Sequence, residues 1–198
     1  MRRVVSFMIV AAVALCDTAS LQAQTTKQDK KAIKKTEKEL KEEERFLQDA
    51  AISAEAFHNA VQSIKALSFV VEANSIQPMT GPLFYVNPNT NFVSLNNGQA
   101  IIQIASNFNP NPGPNGLGGI TVQGTASNIQ IKQDEKENLY LSMNVMGTFI
   151  SATVFLTLPF GSGKATVTVD PNFSGRNLTL SGTVVPYNQS DIFKGSTY

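Results

Sequence analysis

The sequence predicts a mainly β chain of the α+β class: an antiparallel meander of about eight or nine strands, forming a barrel or a sandwich, with one N-terminal amphipathic helix packed on it. Three observations carry this expectation. The apolar residues change period from 3.6 to 2 between positions 66 and 68. Charge is segregated, with more than half of all Asp, Glu, Lys and Arg lying between Lys27 and Lys65. The connections between the later apolar runs are short and rich in Gly, Asn and Pro, which makes neighbouring strands antiparallel.

The elements follow in chain order. Arg2 and Arg3 precede an apolar run from Val4 to Leu15, too short to span a bilayer and of the right length for a signal-peptide core. Leu21-Gln22-Ala23 offers a small residue for cleavage, so residues 1–23 read as a signal peptide and the mature chain is expected to start at Gln24. A periplasmic or secreted protein is expected. Cys16 stands where a lipoprotein carries its lipidated cysteine, and anchoring through Cys16 is the alternative. Against it, bulky Leu15 occupies a position where such signals have a small residue. The mature chain has no stretch apolar enough for a transmembrane segment.

Residues 24–35 read as a flexible charged tether, because Lys30, Lys31, Lys34 and Lys35 oppose the positive end of a helix dipole. Thr36 and Glu39 have capping-box spacing, which starts an amphipathic helix over 36–66. On it, Leu40, Leu47, Ala50, Ala54, Phe57, Val61 and Ile64 recur at spacings of 7, 3, 4, 3, 4 and 3 and share one face. The pattern is shorter than a coiled coil sustains, and the two alanines suit close packing, so this face is expected to cover the sheet.

Residues 67–187 form the β domain. Phe69, Val71 and Ala73 alternate with polar neighbours, although Val70 breaks the polar face. The same alternation marks Ala100, Ile102 and Ile104; Ile120 and Val122; Ile129 and Ile131; and Leu139, Leu141, Met143 and Val145. It continues through Ile150 to Leu158, Ala165 to Val169, and Leu178 to Val184. Asn97-Gly98 has the residues of a type I′ hairpin, where both central positions need positive φ. Residues 188–198 are expected to be a C-terminal tail.

The connection from Ser106 to Gly119 is too rich in Pro, Gly and Asn for helix or strand, and loops of that length within a compact domain are often functional. Phe108 within it, with Phe84, Tyr85 and Phe92 from the other Pro- and Asn-rich stretch, are the candidate ligand or partner contacts. The competing reading folds these aromatics inward to anchor irregular backbone.

Composition excludes much chemistry. A net charge of +1 leaves no electrostatic footprint for nucleic acid. One Cys, one His and no Trp remove most zinc sites, disulfide frameworks and Cys–His nucleophile pairs. Gly161-Ser162-Gly163-Lys164 lacks the upstream Gly and downstream Ser or Thr of a phosphate-binding loop. Asp170, Asn172, Ser174 and Gly175 open like a calcium loop, but Ser181 stands where the closing Glu belongs, so a turn stabilised by Asx bonds is expected. His58 has only Glu55 nearby on the helix, which suits a surface contact rather than a catalytic base. The remaining carboxylates show no facing pair of the kind a glycosidase uses. No catalytic, metal-binding or cofactor-binding residue is assigned, and no cofactor is expected.

Several segments together carry a family likeness: Asn96-Asn97-Gly98-Gln99-Ala100, Gly113 through Val122, Asp170-Pro171-Asn172-Phe173 through Thr179-Leu180-Ser181-Gly182, and Ile192-Phe193-Lys194-Gly195. In these the chain resembles a family of exported Bacteroidota proteins, the domain of unknown function DUF4251, over about Leu67 to Gly195. The resemblance implies a signal peptide and an extracytoplasmic β-rich domain, and it brings no activity or catalytic residues. Some members look like lipoproteins, which keeps Cys16 in consideration.

The expected function is that of a non-catalytic periplasmic or envelope domain, an interaction module for an envelope protein or a glycan. A lipocalin-like carrier of a small apolar ligand is the alternative, separated from the first by whether the barrel interior is filled. A hydrolase is the third reading and needs carboxylates that converge in a cleft.

Overall fold

The computed structural model describes residues 27–105, 113–172 and 175–197, with side chains from Lys34 onward. The expected signal peptide, the cleavage point, Cys16 and Phe108 lie outside the described residues. The chain divides after Glu44 into two units.

One helix, α1 (Lys27–Lys65), crosses that division. It is already helical at Lys27, so the part of the expected tether from Lys27 to Lys35 is helix, and Thr36 lies within the helix instead of capping it. Lys, Glu, Gln and Ala are strong helix formers, and Lys35–Glu39 and Lys38–Glu42 pair at 3.7 Å along the exposed surface. These local gains outweigh the unfavourable dipole interaction of the lysines, a few tenths of a kcal/mol each at an exposed end.

In the second unit the helix meets the barrel through its last turns. Ala60 and Ile64 are fully buried in the core, and Phe57 and Val61 pack against it. Phe57 meets Phe160 edge to face, ring centres 5.2 Å apart. Leu40, Leu47, Ala50 and Ala54, expected on the same covering face, are exposed. Within the second unit the helix from Arg45 to Lys65 runs about 31 Å, and only its last turns pack on the barrel. The helix ends in a Schellman motif: Ser68 N–H donates to Ser63 C=O and Leu67 N–H to Ile64 C=O, both at 3.0 Å. Leu67 takes the left-handed conformation this requires, at φ 54°.

The strands are β1 (Phe69–Pro78), β2 (Phe84–Tyr85), β3 (Phe92–Asn96), β4 (Gln99–Ile104), β5 (Ile120–Gln133), β6 (Leu139–Met146), β7 (Ser151–Leu158), β8 (Lys164–Pro171) and β9 (Leu178–Pro186). All pairings are antiparallel. Each of β3 to β8 pairs with the next, and β1 pairs with both β3 and β9, so eight strands close into a barrel and short β2 is added to the upper half of β1. Barrel is therefore the outcome, not sandwich. Asn97 and Gly98 have φ of 49° and 73°, the expected hairpin geometry.

The inner faces are those the alternation predicts. A bulge between Ser127 and Gln130, with Asn128 at φ 51°, resets the phase of β5, so that Val122 and Ile131 both pack with the core although an odd number of positions separates them. Phe69, Leu139, Leu141, Met143, Leu156, Leu158 and Leu180 are among the fully buried side chains. Ala100, Ala152 and Ala165 fit between them. The interior is filled by side chains.

The residues after β9 do not hang free. After one 3-10 turn (Tyr187–Gln189), Tyr187 and Ile192 cover a second, outer cluster made of Val70, Phe92 and Ile101. This explains the apolar Val70 on an otherwise polar face. Fully buried Gln103 anchors this strap: its Nε2 donates to Thr90 C=O at 2.9 Å and Phe193 C=O at 2.8 Å, and its Oε1 accepts from Gly195 N–H and Thr121 Oγ1, each at 2.8 Å. Asn115, also buried, donates to Ile104 C=O and Thr121 Oγ1 and accepts from Leu117 and Gly119 N–H. The region expected to be a tail is thus an ordered strap over the outer wall.

Candidate functional site at the barrel mouth

α1 packs at the end of the barrel where β1 starts and β7 turns into β8; a Cβ on Gly163 of that turn would lie 2.8 Å from the Ala56 Cβ. At the opposite end the inner rows run out without such a cover among the described residues. Ile76, Pro78, Phe84, Val86, Ile104, Ala105 and Leu178 line a cavity of ≈330 Å³ there. A wider cavity of ≈670 Å³ shares Pro78, Ile104 and Leu178 with it and crosses the mouth to Ile120, Val122, Phe149, Ile150 and Val169. Among the described residues, Arg176 is the one charged side chain of that lining.

The strand register produces this site. Pro78, Ile104 and Leu178 are the last or first inward residues of β1, β4 and β9, Ile76 lies one row deeper opposite Leu180, and beyond Glu72 β1 has left β3 to pair with β2. The wall therefore opens between the upper half of β1 and the end of β4. Two other depressions, beside Tyr140 and Phe155 and beside Asn59 and Gln62, lie on outer surfaces and lack inner-face residues of this kind, apart from the edges of Leu141 and Leu156.

Charge is distributed to match. No Asp, Glu, Lys or Arg occurs between Glu72 and Lys132, nor from Asn138 to Gly163. All connections at the mouth end together carry only Arg176, whereas the β5–β6 turn at the other end holds Asp134, Glu135, Lys136 and Glu137. There Asp134 accepts hydrogen bonds from the Asn138 side-chain amide, the Asn138 and Lys136 N–H groups and the Tyr140 hydroxyl. The Asn138 amide, foremost among these, holds the Asp134 carboxyl below its ordinary 3.8, and the same carboxylate raises the Tyr140 phenol above 10. This is a self-satisfied turn.

The four candidate contacts separate. Phe84 lines the mouth cavity, and its neighbour Tyr85 is 79% exposed. Phe92 does not belong with them: it is fully buried in the outer cluster beneath Tyr187 and Ile192, because it falls one position off the inward row of β3. Phe108 lies outside the described residues. Sequence reasoning missed Ile76, Ile104, Leu178 and Arg176. Ile104 and Leu178 read as ordinary core positions, Ile76 lies beyond the alternating set read for its strand, and only their place near strand ends marks them as mouth residues.

The other motifs resolve as turns and surface contacts. Gly161 has φ 70° in the β7–β8 turn, and Lys164 N–H donates to Ser162 Oγ at 3.1 Å. Asn172 bonds across to Ser151, its amide reaching Ser151 Oγ at 2.7 Å, while the backbone that its expected Asx bond would use, at residues 173–174, lies outside the described residues. Exposed His58 shares a 2.7 Å hydrogen bond with Gln62, one turn on, not with Glu55. Among the described residues no group of three His, Cys, Asp or Glu is placed to hold a metal ion, and no helix is long and apolar enough to cross a membrane.

No curated protein matches the chain. A crystal structure of a DUF4251 family protein from Bacteroides eggerthii is similar to it, with 45% sequence identity and a TM-score of 0.63, over 75% of this chain and 99% of that one. The family profile described as Domain of unknown function (DUF4251) matches residues 51–184, which takes in the barrel-packed turns of α1 as well as nearly all of the strands. With two thirds of its length matched by that profile and a similar fold in a close relative, the chain belongs to the DUF4251 family.

Proposed function

We propose that the protein is an exported, non-catalytic binding domain that takes an apolar group into the mouth of its barrel. The observation that carries this reading is the lining: inner-face Ile76, Ile104 and Leu178, with Phe84, leave a concave apolar surface at the open end. Its volumes, ≈330 and ≈670 Å³, fall within the range of small-molecule sites, about 300–1,000 Å³. Because the interior is filled, the ligand enters the mouth only, and the site is a shallow cup instead of a lipocalin-like deep one. An alkyl chain or a small apolar ring suits it. A glycan suits it less, since the lining offers few polar partners for hydroxyl groups.

The test is a fluorescence titration with N-phenyl-1-naphthylamine, which brightens on entering an apolar site. Saturable enhancement, competed by a medium-chain fatty acid and lost in Leu178→Asp and Ile104→Asp proteins that keep their far-ultraviolet spectrum, supports the reading. No saturable enhancement in the parent protein refutes it.

A second reading, docking of an envelope protein, draws on exposed Phe46, Leu47 and Ile52 of α1. Native mass spectrometry of protein taken gently from its host's envelope separates the two: a small added mass supports the carrier, a second polypeptide the docking module.

A further inference from the structure

We infer that the rim of the mouth docks on a lipid bilayer surface, an inference that rests on the apolar mouth proposed above. Large apolar side chains gather around the opening: Met79 is 69% exposed and Tyr85 79%, with Leu83 and Ile120 also exposed, and Met79 and Ile120 border the wider cavity itself. Such a group around one apolar opening marks an interaction surface, whereas single exposed apolar residues are ordinary.

Charge selects the partner. The connections at this end contain no carboxylate, and their single ionic group is the Arg176 guanidinium, exposed and lining the cavity. A layer of phosphate headgroups therefore meets no carboxylate on these connections and finds one cation, with Asp170 at the end of β8 the acidic residue beside them in the chain. Thr80, Asn87, Asn89 and Asn177 on the same connections supply neutral hydrogen-bonding groups at headgroup depth. A tyrosine at the edge of an apolar patch is the side chain that membrane interfaces favour. The opposite end carries the acidic turn with Asp134, Glu135 and Glu137, which an anionic surface would repel. Docked in this way, the cavity opens toward the acyl chains that fit it.

The chain has no tryptophan, so Tyr85→Trp creates a single reporter on the rim, and Phe155→Trp one on the outer wall of the barrel. With mixed phosphatidylethanolamine and phosphatidylglycerol vesicles, the Tyr85→Trp protein is expected to shift its emission to the blue and to be quenched by brominated acyl chains, while the Phe155→Trp protein does neither. Met79→Ser combined with Leu83→Ser should lower vesicle affinity about tenfold or more. Arg176→Gln should lower it about fivefold on these vesicles and leave neutral ones unaffected.

An unchanged Tyr85→Trp spectrum, with naphthylamine still bound, overturns lipid docking and leaves the mouth as a site for a soluble ligand. Loss of both signals overturns the mouth reading itself. A blue shift that follows protein concentration without vesicles overturns lipid docking in favour of a second copy of the chain.

Discussion

Replacing Gln103 by Leu tests whether the C-terminal strap is held by one side chain. The substitution preserves size and removes four hydrogen bonds of 2.8 to 2.9 Å, to Thr90 C=O, Phe193 C=O, Gly195 N–H and Thr121 Oγ1. At a net ~1 kcal/mol for each bond, the loss is about 4 kcal/mol. For a domain of this size a kcal/mol moves the melting temperature by 2–4 °C, so a drop of roughly 8–16 °C is expected. Peeling of the strap lets water reach the orphaned groups, which keeps the loss near the net figure. Differential scanning calorimetry reads the drop, and amide exchange locates it. Gly195 N–H, whose acceptor disappears, should exchange fastest, followed by Phe193 N–H and Ser196 N–H, which bond Asn89 and Asn115 carbonyls in the same strap. A melting temperature within about 2 °C of the parent, with Gly195 still protected, would refute the reasoning.

Two glycines separate steric from conformational roles. A Cβ on Gly182 would fall on the Glu72 carbonyl oxygen and 2.6 Å from Ala73 Cα, so Gly182→Ala should push β9 from β1 and cost about 3 kcal/mol or more in urea unfolding. Gly161→Ala has open space but a left-handed backbone at φ +70°, and should cost about 1–2 kcal/mol; equal losses for the two would contradict the close β1–β9 approach. The depressed Asp134 pKa means that its contribution to stability is present above pH 3.8 and lost as pH falls through the lower folded value. In Asn138→Ala the Asp134 carboxyl, followed by carbon NMR, should titrate closer to 3.8, and an unchanged midpoint would exclude the Asn138 amide as the main cause. Phe57→Ala removes the ring that meets Phe160, and should lower stability by about 1–3 kcal/mol without affecting naphthylamine binding at the far end of the barrel.

The inward rows of β4 through β9 were legible because a half-buried strand must alternate, and each side chain's period-two position alone decides its face. The helix was legible in kind but not in reach: the apolar stripe from Leu40 to Ile64 is continuous in sequence, while within the second unit only Ala56 onward meets the barrel. Nothing in a local pattern says where the opposing surface stops. Phe92 and Val70 were misleading for a related reason. Their face is outward in the strand, and it is dry only because Tyr187 and Ile192, about a hundred residues on, lie over it. Closure was also invisible, since the pairing of Phe69 with Pro186 depends on no local signal. The mouth combines both difficulties: its residues look like core, and only the departure of β1 from β3 uncovers them.

The pairing of β1 with β9 also sets a clock. Every other wall contact joins consecutive strands or, for β1 with β3, skips only short β2, and can form early, but the other edge of β1 must wait for the last strand. About 110 residues separate Phe69 from Leu178, which at 5–20 residues per second is roughly 5–22 s of synthesis. Throughout that interval one apolar edge of the first strand has no lasting neighbour. The barrel therefore seals in its final step, and whatever receives the unfinished chain must shield that edge until the ninth strand arrives.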